Sequence, residues 1–115
     1  MNQDILTLAI TPTLLILLGY IYRYFPPKKI NYLYGYRTRR SMANQQIWNY
    51  ANKVGAKMII LWGWLLALGS FVVYLLFPNN AMLLQGILLL ILMIGLFIRS
   101  ERKIDQHFDK NGNLL

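Results

Sequence analysis

Within four residues, Gly35-Tyr36-Arg37-Thr38 combines a backbone position free to adopt unusual dihedrals, an aromatic face and a planar guanidinium fork, and Arg39, Arg40 and Ser41 follow directly. Such a grouping suits recognition of a ligand or partner more than bond-making. Residues suited to acid–base, nucleophilic or metal chemistry are sparse and lie elsewhere. His107 is the single histidine, beside Asp105 and Asp109 near the C-terminal end, where a solvated role is expected. Asp4, Glu101, Asp105 and Asp109 are the four acids, none of them inside an apolar run, and cysteine is absent. With no intramembrane carboxylate to relay protons or hold a cation, a pump or ion-coupled transporter is disfavoured. No enzyme activity, metal site or cofactor is expected.

These residues must be positioned by elements built for a bilayer. The chain has 115 residues, of which 57% are hydrophobic and 14% charged, whereas a soluble domain carries about 25% charged residues. A first span is expected over about 5–22, where 18 residues rising about 1.5 Å each cover roughly 27 Å, near the thickness of the hydrocarbon core. Tyr20, Tyr22 and Tyr24 would form its interfacial belt, Pro12 is a candidate kink, and Pro26-Pro27 ends it. No basic segment precedes this run and Arg23 to Pro27 is a poor cleavage site, so it reads as a retained helix and not as a signal peptide.

The second span is expected over 58–77. Its small residues Gly63, Ala67 and Ser70 offer a stripe on which another helix could approach closely. Pro78-Asn79-Asn80 then turns the chain into a third span over 81–98, so the last two spans form an antiparallel hairpin. About a dozen Leu, Ile and Phe residues make insertion of the third span favourable by roughly 4–7 kcal/mol before Gln85 and the glycines are counted. The segment 99–115 reads as a mixed-charge tail that frays beyond Phe108. One domain is expected.

Eight of the twelve Lys and Arg residues lie between 23 and 57, where there is no Asp or Glu, and the other four follow the third span. By the positive-inside rule, the 23–57 segment and the C-terminus are cytoplasmic and the N-terminus and the Pro78–Asn80 turn are outside. Anionic lipid is an expected partner of Lys28, Lys29, Lys53 and Lys57, at about 1 kcal/mol of attraction per residue. A basic strip already facing lipid phosphate is a poor candidate for direct nucleic-acid binding.

Between the first two spans, Ile47, Trp48, Ala51, Val54, Gly55 and Met58 recur at spacings of three and four, which predicts an amphipathic helix over 41–57 lying at the cytoplasmic interface, with Ser41 as its N-cap. The expected fold class is therefore an all-α membrane protein of three transmembrane helices with an interfacial helix between the first and second. Asn31, Asn49 and Asn52 both donate and accept, and could close a hydrogen-bond network with Arg37 under the bundle. Such a network serves either architecture or a site that reads a ligand.

Asn31, Gly35-Tyr36-Arg37-Thr38, Ser41, Trp48 and Asn52, with two spans following, resemble the motif of the SdpI immunity-protein family. The resemblance covers roughly 5–98. It implies protection of a bacterium against a secreted, membrane-directed peptide toxin, which would be a partner within the bilayer. It also implies an alternative role, in which a basic cytoplasmic face including Arg39 and Arg40 retains a soluble transcriptional repressor at the membrane. The founding member of that family has further spans ahead of this module, so the chain is expected to correspond to its C-terminal module alone.

Overall fold

Three runs of apolar sequence become three long helices in the computed structural model, which describes residues 2–31, 33–109 and 111–114. Helix α1 spans Asn2–Tyr24, α2 spans Gln45–Leu76 and α3 spans Ala81–His107, with a single 3-10 turn, Pro78–Asn80, joining α2 to α3. All three are long and apolar enough to cross a membrane. Outward-facing Leu, Ile and Phe side chains, among them Leu14, Leu17, Leu68, Phe71, Leu83 and Ile91, are exposed, as lipid-facing positions require.

Two expectations about the middle of the chain are corrected. The amphipathic segment and the second span are one unbroken helix of 32 residues, with no separate interfacial helix between spans. At about 1.5 Å per residue this element is roughly 48 Å long, so its first few turns project beyond a hydrocarbon core of about 30 Å. Its N-cap is Asn44, not Ser41: the Asn44 side chain accepts from the Ile47 amide at 2.8 Å. Ser41 instead closes the turn that precedes the helix.

Helix α2 lies between α1 and α3 and packs on both. On the α1 side Gly19 and Gly63 allow a reciprocal crossing. A Cβ on Gly19 would stand 2.9 Å from the Ile60 backbone nitrogen, and one on Gly63 would stand 2.9 Å from that of Ile16. The stripe containing Gly63 is thus covered by α1 of the same chain. Each glycine thus receives the backbone of an isoleucine on the facing helix, and the missing side chain is what permits so close an approach, a usual basis of helix association in lipid.

Pro12 and Gln85 form a second tie. Proline lacks the amide that would bond the carbonyl four residues earlier, which leaves Leu8 O without its helical donor. Gln85 Nε2, from α3, donates to Leu8 O at 2.9 Å and to Ser70 Oγ on α2 at 2.8 Å. One buried amide therefore joins all three helices and satisfies the acceptor that Pro12 exposes.

The C-terminal end also departs from expectation. Helix α3 continues nine residues past position 98 to His107, and the chain then folds back instead of fraying, with Phe108 buried against Ile47, Ala51 and Ile104. Phe108 bridges to Leu114, Arg40 Nη2 donates to Phe108 O at 2.9 Å and to Asp109 O at 3.1 Å, and Asn44 Nδ2 donates to Gly112 O at 2.9 Å. His107 is exposed, with its ring against Tyr50 and its Nδ1 3.0 Å from the Tyr50 hydroxyl.

Candidate functional site

The motif region is assembled where the end of α1, the loop after it and the projecting turns of α2 meet. Helical spacing puts Trp48 and Asn52 on one face of α2, four residues apart, and both are buried. Trp48 Nε1 donates to Pro27 O at 2.8 Å, fixing the chain just after α1. Asn52 Nδ2 donates to Trp48 O at 2.8 Å, which leaves Oδ1 pointing into the loop.

That oxygen receives two donors, the Tyr36 amide at 2.7 Å and the Tyr22 hydroxyl. The Tyr36 amide also lies 2.8 Å from the Tyr22 hydroxyl oxygen. The loop reaches this position because Gly35 has φ +117°, and a Cβ there would stand 2.5 Å from Asn52 Oδ1 and 2.7 Å from Pro27 Cγ. No other residue type has both the dihedral freedom and the room.

Beyond Gly35, Tyr36 crosses the molecule. Its ring lies on Gly55, where a Cβ would be 3.2 Å from the ring, and stacks beside Phe97 of α3 at 6.1 Å between centroids. Its hydroxyl donates to Glu101 Oε1 at 2.6 Å. Burial, and then the carboxylate that accepts its hydrogen bond, push the Tyr36 phenol well above its ordinary range, so it remains a neutral donor. Tyr36 O in turn accepts from the Ser41 hydroxyl, whose Oγ lies 2.6 Å away. Ser41 and Thr38 pair reciprocally, with the Thr38 amide donating to Ser41 Oγ at 2.8 Å and the Ser41 amide to Thr38 Oγ1 at 3.0 Å.

Gly35, Tyr36, Thr38, Ser41, Trp48 and Asn52 are therefore brought together as one hydrogen-bonded clamp. The other expected site residues stand apart from it. Asn31 caps its own turn, accepting from the Leu33 and Tyr34 amides and donating to Lys29 O. Asn49 accepts from Gln45 Nε2 at 2.7 Å. Arg37 is exposed and has no partner among the described residues, so the network proposed between it and Asn31, Asn49 and Asn52 does not form; Tyr22 and the Tyr36 backbone take its place around Asn52. Arg39 is also exposed, whereas Arg40 is turned inward to the folded-back tail, with Nε 3.1 Å from Asp105 Oδ1.

Tyr22, Pro27, Gly55 and Glu101 also belong to the clamp, although the sequence marks none of them as a site residue. Tyr22 reads as an interfacial belt residue, and nothing in a linear sequence joins Glu101 to Tyr36 across 65 positions. Each polar side chain of the clamp is satisfied by backbone or by another side chain, an arrangement that holds a loop in one shape. No cluster of metal-ligating residues occurs among the described residues.

The sequence model of the SdpI/YfhL protein family matches residues 28–99, which takes in the clamp's loop, all of α2 and most of α3. The chain belongs to the SdpI/YfhL family. A relative in Bacillus subtilis (strain 168), the uncharacterised protein YfhL, is 42% identical over 92 residues, covering 79% of each chain. No solved structure matches. The matched segment begins after α1, so Tyr22, which holds Asn52 from α1, lies outside it.

Proposed function

We propose that this chain is a bacterial membrane resistance protein that protects against a secreted, membrane-directed peptide toxin through direct contact in the bilayer. One observation carries the reading beyond family membership: six residues of the family-like motif converge in a single clamp whose outer side presents Arg37 and Arg39. A loop fixed this firmly can present a side chain in one orientation, which lowers the ordering cost of binding. The concentration of Lys and Arg around the clamp supports a cytoplasmic position for it, with the C-terminus on the same side. The proposed role is recognition without catalysis.

The alternative, capture of a cytoplasmic repressor by a basic face, would fall mainly to Arg37 and Arg39, because Arg40 is engaged by Asp105 and the tail carbonyls. The test is survival of a bacterium sensitive to an SdpI-type killing peptide, expressing the native chain, Arg37→Ala or Arg99→Ala at equal membrane abundance. Protection by the native chain and by Arg99→Ala, with loss in Arg37→Ala, is expected. Absence of protection by the native chain would defeat the proposal.

A further inference from the structure

A cavity of about 580 Å³ opens between the end of α1, the start of the loop at Pro26, Pro27 and Lys28, and the projecting turns of α2. Its floor includes Tyr22, Asn52 and Ala56, all buried, and its walls carry Arg23, Lys28, Lys53 and Lys57. None of those four cationic side chains forms an ion pair or hydrogen bond among the described residues. No carboxylate lines the cavity, and Glu101 and Asp105 are engaged with Tyr36 and Arg40 instead.

Gathering four like charges around one concavity is unfavourable unless something of opposite sign occupies it. One neutral donor is also present: the Asn49 carboxamide accepts through Oδ1 from Gln45, which leaves Nδ2 free to donate at the cavity wall. Asn49, Lys53 and Lys57 follow one another at intervals of four and so lie along one stripe of α2. Close to that stripe, further along the helix, are exposed Leu61, Trp64 and Leu68. A ligand seated here would meet positive charge and the Asn49 amide donor at one end and an apolar helix face at the other.

We propose that this cavity is a binding site for the phosphate-bearing headgroup of an anionic membrane lipid, whose acyl chains run along the adjacent face of α2. A free phosphate satisfies the same cationic cradle, but only a lipid uses the apolar face as well. This is a discrete site, distinct from general attraction of a basic loop to a charged surface, and it does not depend on the resistance role.

The test uses the full chain in detergent, titrated with phosphatidylglycerol or phosphatidylcholine and read by native mass spectrometry. The expected result is one phosphatidylglycerol retained in preference to phosphatidylcholine. Lys53→Gln with Lys57→Gln should weaken retention about twenty-five-fold, from about five-fold per charge at the membrane surface. Arg99→Gln with Arg102→Gln removes the same charge from exposed positions on α3 and should leave retention unchanged. Circular dichroism of each variant confirms equal folding; the substituted lysines are exposed, so helicity is expected to hold. Equal loss in both double variants would overturn the site in favour of diffuse charge attraction. Displacement of the lipid by millimolar inorganic phosphate at constant ionic strength would overturn the lipid as occupant.

Discussion

Asn52 shows how much of the site depends on one side chain. Its carboxamide accepts from the Tyr36 amide and the Tyr22 hydroxyl and donates to Trp48 O, so it connects α1, the loop and α2 in a buried setting. Leucine there would leave the Tyr36 amide and the Tyr22 hydroxyl with one acceptor fewer between them, at about 1–3 kcal/mol for each buried group left unsatisfied. Gly35→Ala would act on the same point from the loop, since φ +117° and a 2.5 Å approach to Asn52 Oδ1 exclude a side chain. Both variants should lower the midpoint of thermal unfolding in detergent, and together should lower it by less than the sum, because each disrupts the same contact. Additive losses would show that the two residues act separately. The sequence made Gly35, Ser41, Trp48 and Asn52 visible as a set through residue type and spacing. It could not pair them, since the choice of Tyr22 over Arg37 as the partner of Asn52 depends on α1 ending alongside α2. A phenol at a span end has an obvious bland role in the interfacial belt, and that role concealed this one.

At the level of elements, the apolar runs were legible because lipid imposes length and composition directly. The break expected between amphipathic segment and second span was not there, because a change of solvent from headgroup to hydrocarbon alters which residues are tolerated without interrupting backbone hydrogen bonding. Lys53 and Lys57 mark a change of composition along α2, not the end of a helix. The folded-back tail was illegible for a different reason: its mixed charge suggests solvent, yet Arg40 reaches it from 68 positions away. Pro12 and Gln85 provide the sharpest test at this scale. If Gln85 is held because Pro12 leaves Leu8 O exposed, Gln85→Leu should destabilise the native chain, by about 0.6 kcal/mol and at most about 1.7 kcal/mol as membrane hydrogen bonds do. In a Pro12→Ala background the helix recovers its own donor to Leu8 O, so the same substitution should cost less. A double-mutant cycle of unfolding free energies in mixed micelles measures the coupling, and a coupling of zero would mean that Gln85 serves only Ser70.

The whole molecule is asymmetric along its 51 Å length. At one end are the short Pro78–Asn80 turn, with no charge, and the start of α1. At the other are the clamp, the basic cavity, the folded-back tail and nearly every charged residue. The clamp, the basic cavity and the tail share α2 as a common wall, so the projecting part of that helix organises the polar and charged end of the molecule. Lys and Arg resist translocation far more than Asp and Glu do, so the charge distribution should also fix how the chain sits in the membrane. Absence of native cysteine makes this directly measurable, since a single introduced thiol is the only one to be labelled. Asn79→Cys lies in the turn, which is exposed, and Lys29→Cys lies in the exposed basic loop. In intact cells, a membrane-impermeant maleimide should modify Asn79→Cys and leave Lys29→Cys untouched until the membrane is permeabilised. The reverse pattern would place the clamp outside the cell, where Arg37 and the lysine-lined cavity would meet an incoming peptide before it entered the bilayer. Labelling of both sites in intact cells would indicate a mixed insertion that the eight basic residues between positions 23 and 57 should prevent. The outcome therefore determines whether a peptide toxin, under the proposed role, would reach the clamp only after crossing the membrane or before entering it.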